Sequence, residues 1–131
     1  MEQPPKKRKT PPSDDRKRLG NSGEDEAAEL LRLSGHRILE RNFRTRQGEI
    51  DIVSRAPDGT LVFTEVKTDR SGRAGLPGEW IGPRKQRQVA RMAAVWMTLR
   101  GVGEVPVRFD AICVRTRPGR THVLHWPAAW I

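Results

Sequence analysis

Hydrophobic residues recur along this chain with two different periods, and the changes of period mark the predicted helices and strands. A helical spacing runs from about Ser22 to Ser34, and a second one runs from Pro83 to about Leu99, where Gly101 is a suitable cap. Apolar residues suited to strands occupy the segments 36–41, 48–53, 61–67, 105–114 and 121–126. The pattern predicts two helices among several strands.

Composition divides the chain into a tail and one domain. Its 131 residues carry a net charge of +9, and residues 1–18 contain Pro, Lys and Arg without apolar periodicity. We therefore expect a disordered basic tail over 1–18 and a folded domain over 19–131. The folded part is itself basic, which favours a polyanionic partner, most commonly a nucleic acid.

Cysteine usage and hydropathy bear on where the protein functions. Cys113 is the single cysteine, so no internal disulfide can form and a reducing cytoplasm is expected. No apolar run has the length of a membrane span, and no export signal is recognisable at the N-terminus. We expect a cytoplasmic protein without a membrane partner.

The segments 48–53 and 61–67 have the residues of two strands, and Pro57-Asp58-Gly59 between them has the composition of a tight turn. Ala56 and Thr60 are expected to close a three-residue loop. A closure at these residues fixes the antiparallel register of the hairpin.

That register gathers charged side chains within two apolar strands. Asp51 lies opposite Glu65, Glu49 lies opposite Lys67, and all four share one face because strand side chains alternate. Like charges directly opposite each other destabilise a sheet. A divalent cation between Asp51 and Glu65 would compensate, and Lys67 beside them would complete a reactive site.

The competing interpretation is an exposed hairpin face, on which acids and lysines are ordinary. Ile50 and Ile52 are expected on the opposite, mostly apolar face, while Val53 and Phe63 are apolar on the acidic face too. Such a nearly continuous apolar run favours a strand covered on both sides. Buried charges need a partner or a metal ion, so this argument favours the reactive site.

Glu24 on the first predicted helix is a further candidate. It precedes Ala27, Ala28 and Leu31 by helical spacing, so it shares their inward face. It either contributes to the site or interacts only with the helix dipole, and its position leaves both interpretations open.

Basic residues around the hairpin are candidates for contacts with nucleic acid. The connector 42–47 and the loop 68–82 supply several of them, and Lys85 lies on the inward stripe of the second helix. The set is Arg44, Arg46, Arg70, Arg73 and Lys85. Asp110, inside an apolar strand, either supports the site or is a salt-bridged structural acid, and we favour the structural role.

Several motifs along the chain resemble a known family. They are Gly20-x3-Glu24-x2-Ala27, Asn42, Gly48-Glu49-Ile50-Asp51, Val62-Phe63-x-Glu65-Val66-Lys67, Lys85 and Arg108-Phe109-Asp110. In this order they resemble the YraN-like family of small bacterial proteins. That family is related to PD-(D/E)xK nucleases of the restriction-endonuclease-like and Holliday-junction-resolvase-like kind.

The resemblance implies an α/β fold with a restriction-endonuclease-like core, in which a mixed sheet has flanking helices. It also implies that Asp51 and Glu65 bind a metal ion with the Val66 carbonyl as a further ligand, and that Lys67 and Glu24 are catalytic. Glu49 matches the signature glutamate, which we expect to support the site. The sequence departs from the family at Asp69, where relatives typically have arginine.

Together these observations predict a Mg²⁺- or Mn²⁺-dependent endonuclease that hydrolyses DNA, with branched or irregular DNA among the candidate substrates. The alternative is a nucleic-acid-binding or adaptor domain that keeps the fold without turnover. A third interpretation is a stabilising charge network with a protein partner. Symmetric cleavage of a junction would require a homodimer.

Overall fold

The structure, a computed structural model, describes residues 15–130, with side chains from Gly23 onward. Its elements in chain order are α1 (Asp15–Leu33), β1 (Arg37–Thr45), β2 (Gly48–Arg55), β3 (Leu61–Asp69), a 3-10 turn (Pro77–Glu79), α2 (Pro83–Leu99), β4 (Val107–Arg117) and β5 (Arg120–Trp130). Residues 1–14 of the predicted tail lie outside the described residues.

Three element boundaries differ from the prediction by about four residues or more. Helix α1 begins at Asp15 instead of about Ser22, inside the segment assigned to the tail, and no proline after Pro12 interrupts the chain there. The predicted connector 42–47 is largely strand, because β1 continues to Thr45 and pairs with β2. Strand β5 continues to Trp130. The bounds of α2 agree with the prediction.

The strands form one five-stranded sheet in the order β1-β2-β3-β4-β5. All neighbouring strands are antiparallel except β3 and β4, which are parallel. A parallel pair requires a crossover connection, and α2 lies in it. The predicted mixed sheet with flanking helices is confirmed.

Each face of the sheet is covered by one helix. Buried residues of α2, including Trp96, pack with Phe63, whereas Ala28 and Leu31 of α1 pack with Ile112. Side chains three residues apart on a strand point to opposite faces, and Phe63 and Val66 of β3 accordingly belong to different clusters. The central strands are therefore buried on both sides, as their apolar composition predicts.

None of the helices among the described residues has the length and apolar character needed to cross a membrane.

Candidate active site

The β2–β3 hairpin has the predicted register. Ala56 N donates to Thr60 O at 2.8 Å, which closes the three-residue loop, and Ile52 pairs with Thr64 at the other end of the ladder. Asp51 and Glu65 lie one position beyond this last pair, close enough for the charge of Asp51 to raise the pKa of Glu65. Beyond this point the strands have other partners. The β2–β3 ladder ends at Ile52–Thr64, so the predicted pairing of Glu49 with Lys67 is not formed. Glu49 pairs instead with Arg44 of β1, and Lys67 pairs with Cys113 of β4.

A local irregularity of β1 lies directly across from Asp51. Asn42, between the pairs Arg41–Ile52 and Phe43–Ile50, has a left-handed backbone with φ of 55°. Asparagine tolerates this conformation better than most residues. Beside Asn42, the side chains of β2 no longer alternate regularly between the two faces of the sheet.

The break in alternation corrects the predicted face of one residue. Ile50 packs in the α2-side cluster with Phe43 and Val53, whereas Ile52 packs on the α1 side. The prediction that Ile50 and Ile52 share a face is therefore wrong. Asp51 lies between these two residues, where the side chains of β2 change face.

The Asp51 carboxylate is held by the neighbouring strand. Val66 N donates a hydrogen bond to Asp51 Oδ2 at 2.7 Å. Burial nevertheless raises the pKa of Asp51, and the nearby charge of Glu49 adds to this, while the Val66 bond and the charges of Lys85 and Arg44 oppose it. A further cation close to Asp51 would favour its ionised form.

Glu65 is the most strongly perturbed acid of the site. Its residue is only 7% exposed, and its Oε1 is buried without a hydrogen-bond partner. Burial and the charge of Asp51 raise the pKa of Glu65 to about 8, although Lys85 lowers it. The Lys85 ammonium lies 3.3 Å from Glu65 Oε2, so the inward direction predicted for Lys85 is confirmed.

Glu24 approaches the same site from α1. Its side chain is 13% exposed, and its Oε1 lies 3.6 Å from Arg41 Nη2 without a hydrogen bond. Burial raises the pKa of Glu24, followed by the charge of Asp51, while Arg41 and Asn42 lower it. The influence of Asp51 places Glu24 near the hairpin acids, as its helical position predicts.

Lys67 has a different environment from the acids. Its side chain is exposed and forms no ion pair within residues 23–130. It lines a cleft of about 420 Å³, together with Arg70, Arg73 and Trp80. The lysine is therefore open to a ligand that approaches the carboxyl end of β3.

Asp69 organises the loop that forms this cleft. Its carboxylate accepts backbone hydrogen bonds from Ser71, Gly72 and Ala74 at 3.0–3.1 Å, and Arg115 Nε lies 3.2 Å away. Burial would raise the pKa of Asp69, but the bonds from Ser71, Ala74 and Gly72 outweigh it and lower the pKa below the ordinary value. The acid that departs from the family pattern thus has a structural role.

Sequence reasoning did not find this role of Asp69, although Asp69-Arg70-Ser71-Gly72 has the composition of a turn in which an aspartate binds the backbone that follows it. It also did not find the contact of Arg41 with Glu24. No local pattern signals that contact, because the two residues belong to different elements.

The remaining candidates have more ordinary surroundings. Arg44 is exposed and its Nε lies 2.9 Å from Glu49 Oε1, so both side chains lie next to the site. Arg46, Arg70 and Arg73 are exposed, as a contact with nucleic acid requires. Whether these residues bind nucleic acid stays a prediction.

Asp110 belongs to a separate buried network. It is 0% exposed and accepts hydrogen bonds from Arg108, from Ala128 N at 3.0 Å and, at 2.8 Å, from the His125 ring. Burial opposes ionisation, but the bonds from His125, Arg108 and Ala128 outweigh it and lower the pKa of Asp110 to about 2. The contact with Ala128 stabilises an irregular part of β5, where Ala128 has φ of 53°. These contacts agree with the favoured structural role and include none of the site acids.

Glu24 and Glu65 each have a buried carboxylate oxygen without a hydrogen-bond partner, and a metal ion would supply one. Within residues 23–130 there is no cluster of three or more His, Cys, Asp or Glu side chains able to hold a metal ion. A Mg²⁺ site needs only one or two carboxylates when water and substrate phosphate supply the other ligands. The pair Asp51 and Glu65, with the buried Glu65 Oε1 unpaired, fits that requirement.

A solved structure described as an EndoMS–dsDNA complex is similar to this chain, with a TM-score of 0.39 and 22% identity. The similarity covers 66% of this chain and 34% of the other, so this chain spans about a third of that protein.

Sequence comparisons give a family. Uncharacterised protein family UPF0102 matches residues 23–114. A UPF0102 protein of Geobacter sulfurreducens is 50% identical over 97 residues, which are 73% of this chain and 74% of the relative. A UPF0102 protein of Symbiobacterium thermophilum is 46% identical over 102 residues, which are 78% of this chain and 86% of the relative. The chain therefore belongs to the UPF0102 family, the YraN-like family that its motifs indicated.

Proposed function

We propose that this protein is a divalent-metal-dependent nuclease that hydrolyses phosphodiester bonds in DNA. The observation that carries the proposal is the pair of opposed acids, Asp51 and Glu65, in which Glu65 is nearly buried, has a pKa raised to about 8 and keeps one oxygen unpaired. A folded protein retains such an unfavourable arrangement mainly at functional sites.

The chain supplies the groups that such a reaction needs. Asp51 and Glu65 would hold Mg²⁺ or Mn²⁺, with the Val66 carbonyl as a further ligand. When bound, the ion supplies charge neutralisation at the phosphate and lowers the pKa of water. The Val66 amide orients Asp51 through its 2.7 Å hydrogen bond, so this carboxylate is positioned before a ligand arrives.

Two further residues would act on the substrate or on its surrounding water. Exposed Lys67 lies two positions after Glu65 on β3, where its ammonium can bind the scissile phosphate and stabilise developing negative charge. Glu24, with a raised pKa and an unpaired buried Oε1, can accept a hydrogen bond from water at the site.

A nucleic-acid substrate is favoured because the chain is strongly basic, and the resemblance to PD-(D/E)xK nucleases favours DNA. The net charge of +9 and the exposed Arg46, Arg70 and Arg73 offset the charge of the site acids, which would otherwise repel a polyanion. Branched or irregular DNA stays a candidate substrate, and a homodimer stays a prediction for symmetric cleavage of a junction.

The test is cleavage of labelled single-stranded, duplex, flap and four-way-junction DNA with Mg²⁺, Mn²⁺ or EDTA. Asp51→Asn and Lys67→Ala should abolish cutting, and EDTA should do the same. Glu24→Gln should reduce the rate, whereas its matched control Glu29→Gln, an exposed acid of the same helix, should not.

Cutting that persists unchanged in Asp51→Asn would show that another protein or another site is responsible. If no form cuts but salt-sensitive DNA binding remains, the binding or adaptor domain is the better interpretation. Size-exclusion chromatography with light scattering tests the homodimer.

A further inference from the structure

The first turns of α2 border a cleft that the proposed chemistry does not use. Its lining residues are Gly82, Arg84, Lys85, Gln88 and Arg91, and its volume is about 470 Å³. We call this cleft the α2 groove.

Charge distinguishes the α2 groove from the cleft beside Lys67. Three of its lining side chains are cationic and none is acidic, whereas the other cleft includes Asp69 and Glu79. Arg84 and Arg91 are exposed, and no acid within residues 23–130 forms an ion pair with either. Among the described residues, Lys85 is the one groove cation paired with an acid, Glu65, so the two arginines give the groove a net positive charge that favours an anionic occupant.

The groove is continuous with the proposed active site. Lys85 lines it, and the Lys85 ammonium is also 3.3 Å from Glu65 Oε2. An anionic chain that occupies the groove would therefore reach the metal-binding acids at this lysine.

One lining residue of the groove, Gln88, is held by the β1–β2 turn. Gln88 Nε2 donates to Gln47 O at 3.2 Å, which ties α2 to the turn beside exposed Arg46. Gly48 permits this approach, because a Cβ there would lie 2.9 Å from the Gln88 amide group. The groove is thus formed before a ligand binds.

We infer that the α2 groove binds the sugar–phosphate backbone of the DNA strand next to the scissile bond, with Arg84 and Arg91 contacting separate phosphates. The inference rests on the proposed nuclease function and extends it to a defined strand path. Arg84 and Arg91 are seven residues apart, about 10 Å along a helix. With one phosphate per about 3.4 Å of axis on each strand, this distance spans about three phosphates.

The experiment measures binding of labelled duplex and flap DNA to the full chain by fluorescence anisotropy, in EDTA and over a range of salt concentrations. Arg84→Gln and Arg91→Gln are compared with Arg87→Gln, which removes the same charge from an exposed position of α2 outside the groove lining. Each groove variant should lower the log–log salt slope by about 1, and the double variant by about 2, while Arg87→Gln leaves the slope nearly unchanged.

The outcomes separate this inference from the nuclease proposal. Equal effects of all three arginine variants would overturn the groove as a defined site, even if cleavage is confirmed. Loss of slope in the groove variants alone would support the groove, including when no form of the protein cuts DNA. Absence of DNA binding by the wild-type protein would overturn both the groove inference and the nuclease proposal. Displacement of DNA by polyglutamate at equal charge concentration would assign the groove to acidic protein partners instead.

Discussion

Replacing Glu65 by glutamine should stabilise the metal-free protein at neutral and alkaline pH. The substitution keeps the shape of the side chain and removes an ionisable group from a residue that is 7% exposed and lies next to Asp51. The pKa of Glu65 is raised from 4.5 to about 8, so the folded state holds this proton more tightly than the unfolded state. The stabilisation that comes from the tighter binding of this proton is complete below pH 4.5 and is lost as the pH rises through about 8.

The size of the effect follows from the pKa difference. One pKa unit corresponds to about 1.4 kcal/mol, so ionisation of Glu65 in the unfolded state, while the folded protein keeps the proton, removes roughly 3 kcal/mol from the free energy of unfolding between pH 4.5 and 7. Glutamine avoids this loss but leaves Lys85 without its partner, which reduces the net gain to roughly 1–3 kcal/mol. For a domain of this size the melting temperature should rise by roughly 5–10 °C.

Thermal unfolding by circular dichroism at pH 5, 6, 7 and 8 in EDTA provides the measurement. The difference in melting temperature between Glu65→Gln and wild type should grow with pH, and taking the difference removes the contribution of other titrating groups such as His36. Glu29→Gln, which alters an exposed acid of α1 outside the site, is the control and should show no such growth. Added Mn²⁺ should raise the melting temperature of wild type at pH 8 and leave that of Glu65→Gln almost unchanged.

A variant that is less stable than wild type at pH 8 would refute the reasoning, because it would show that ionised Glu65 stabilises the fold. A difference that does not change with pH would show that packing, and not ionisation, is responsible. The third sequence-based interpretation, a stabilising charge network, predicts the first of these results.

Two further predictions concern the acids outside the site. Asp110→Asn should lower the free energy of unfolding by about 3–5 kcal/mol in urea titrations, because it leaves Arg108 and His125 without their buried partner. The pKa of Asp110 is lowered to about 2, so its contribution to stability is present above pH 3.8 and is lost as the pH falls towards 2. A stability of Asp110→Asn that follows the same pH dependence as that of wild type would contradict this. Asp69→Asn should accelerate amide hydrogen exchange at Gly72 and Ala74 while the helices keep their protection, and unchanged exchange in that loop would show that Asp69 does not hold it.

Local sequence was sufficient for the parts of the site that depend on short-range geometry. The turn closed by Ala56 and Thr60 fixes the hairpin register, and this register brings Asp51 and Glu65 to opposite positions. Helical periodicity likewise predicts that Glu24 faces inward from α1. In each case the residues concerned belong to one element or to two elements joined by a short turn.

Long-range contacts required the tertiary structure. The ion pair of Lys85 with Glu65 depends on how α2 crosses the sheet, and the approach of Arg41 to Glu24 depends on how α1 packs beside β1. The left-handed Asn42 and the displaced face of Ile50 occur at neighbouring positions of the paired strands β1 and β2.

The sequence by itself therefore determined the helices, the hairpin and the identity of the paired acids, because periodicity and turn chemistry act over a few residues. Only the tertiary structure decided which cations reach those acids, which acid instead anchors a loop, and where the α2 groove lies. Those outcomes depend on distances between elements that are far apart in the chain, and no local pattern encodes such distances.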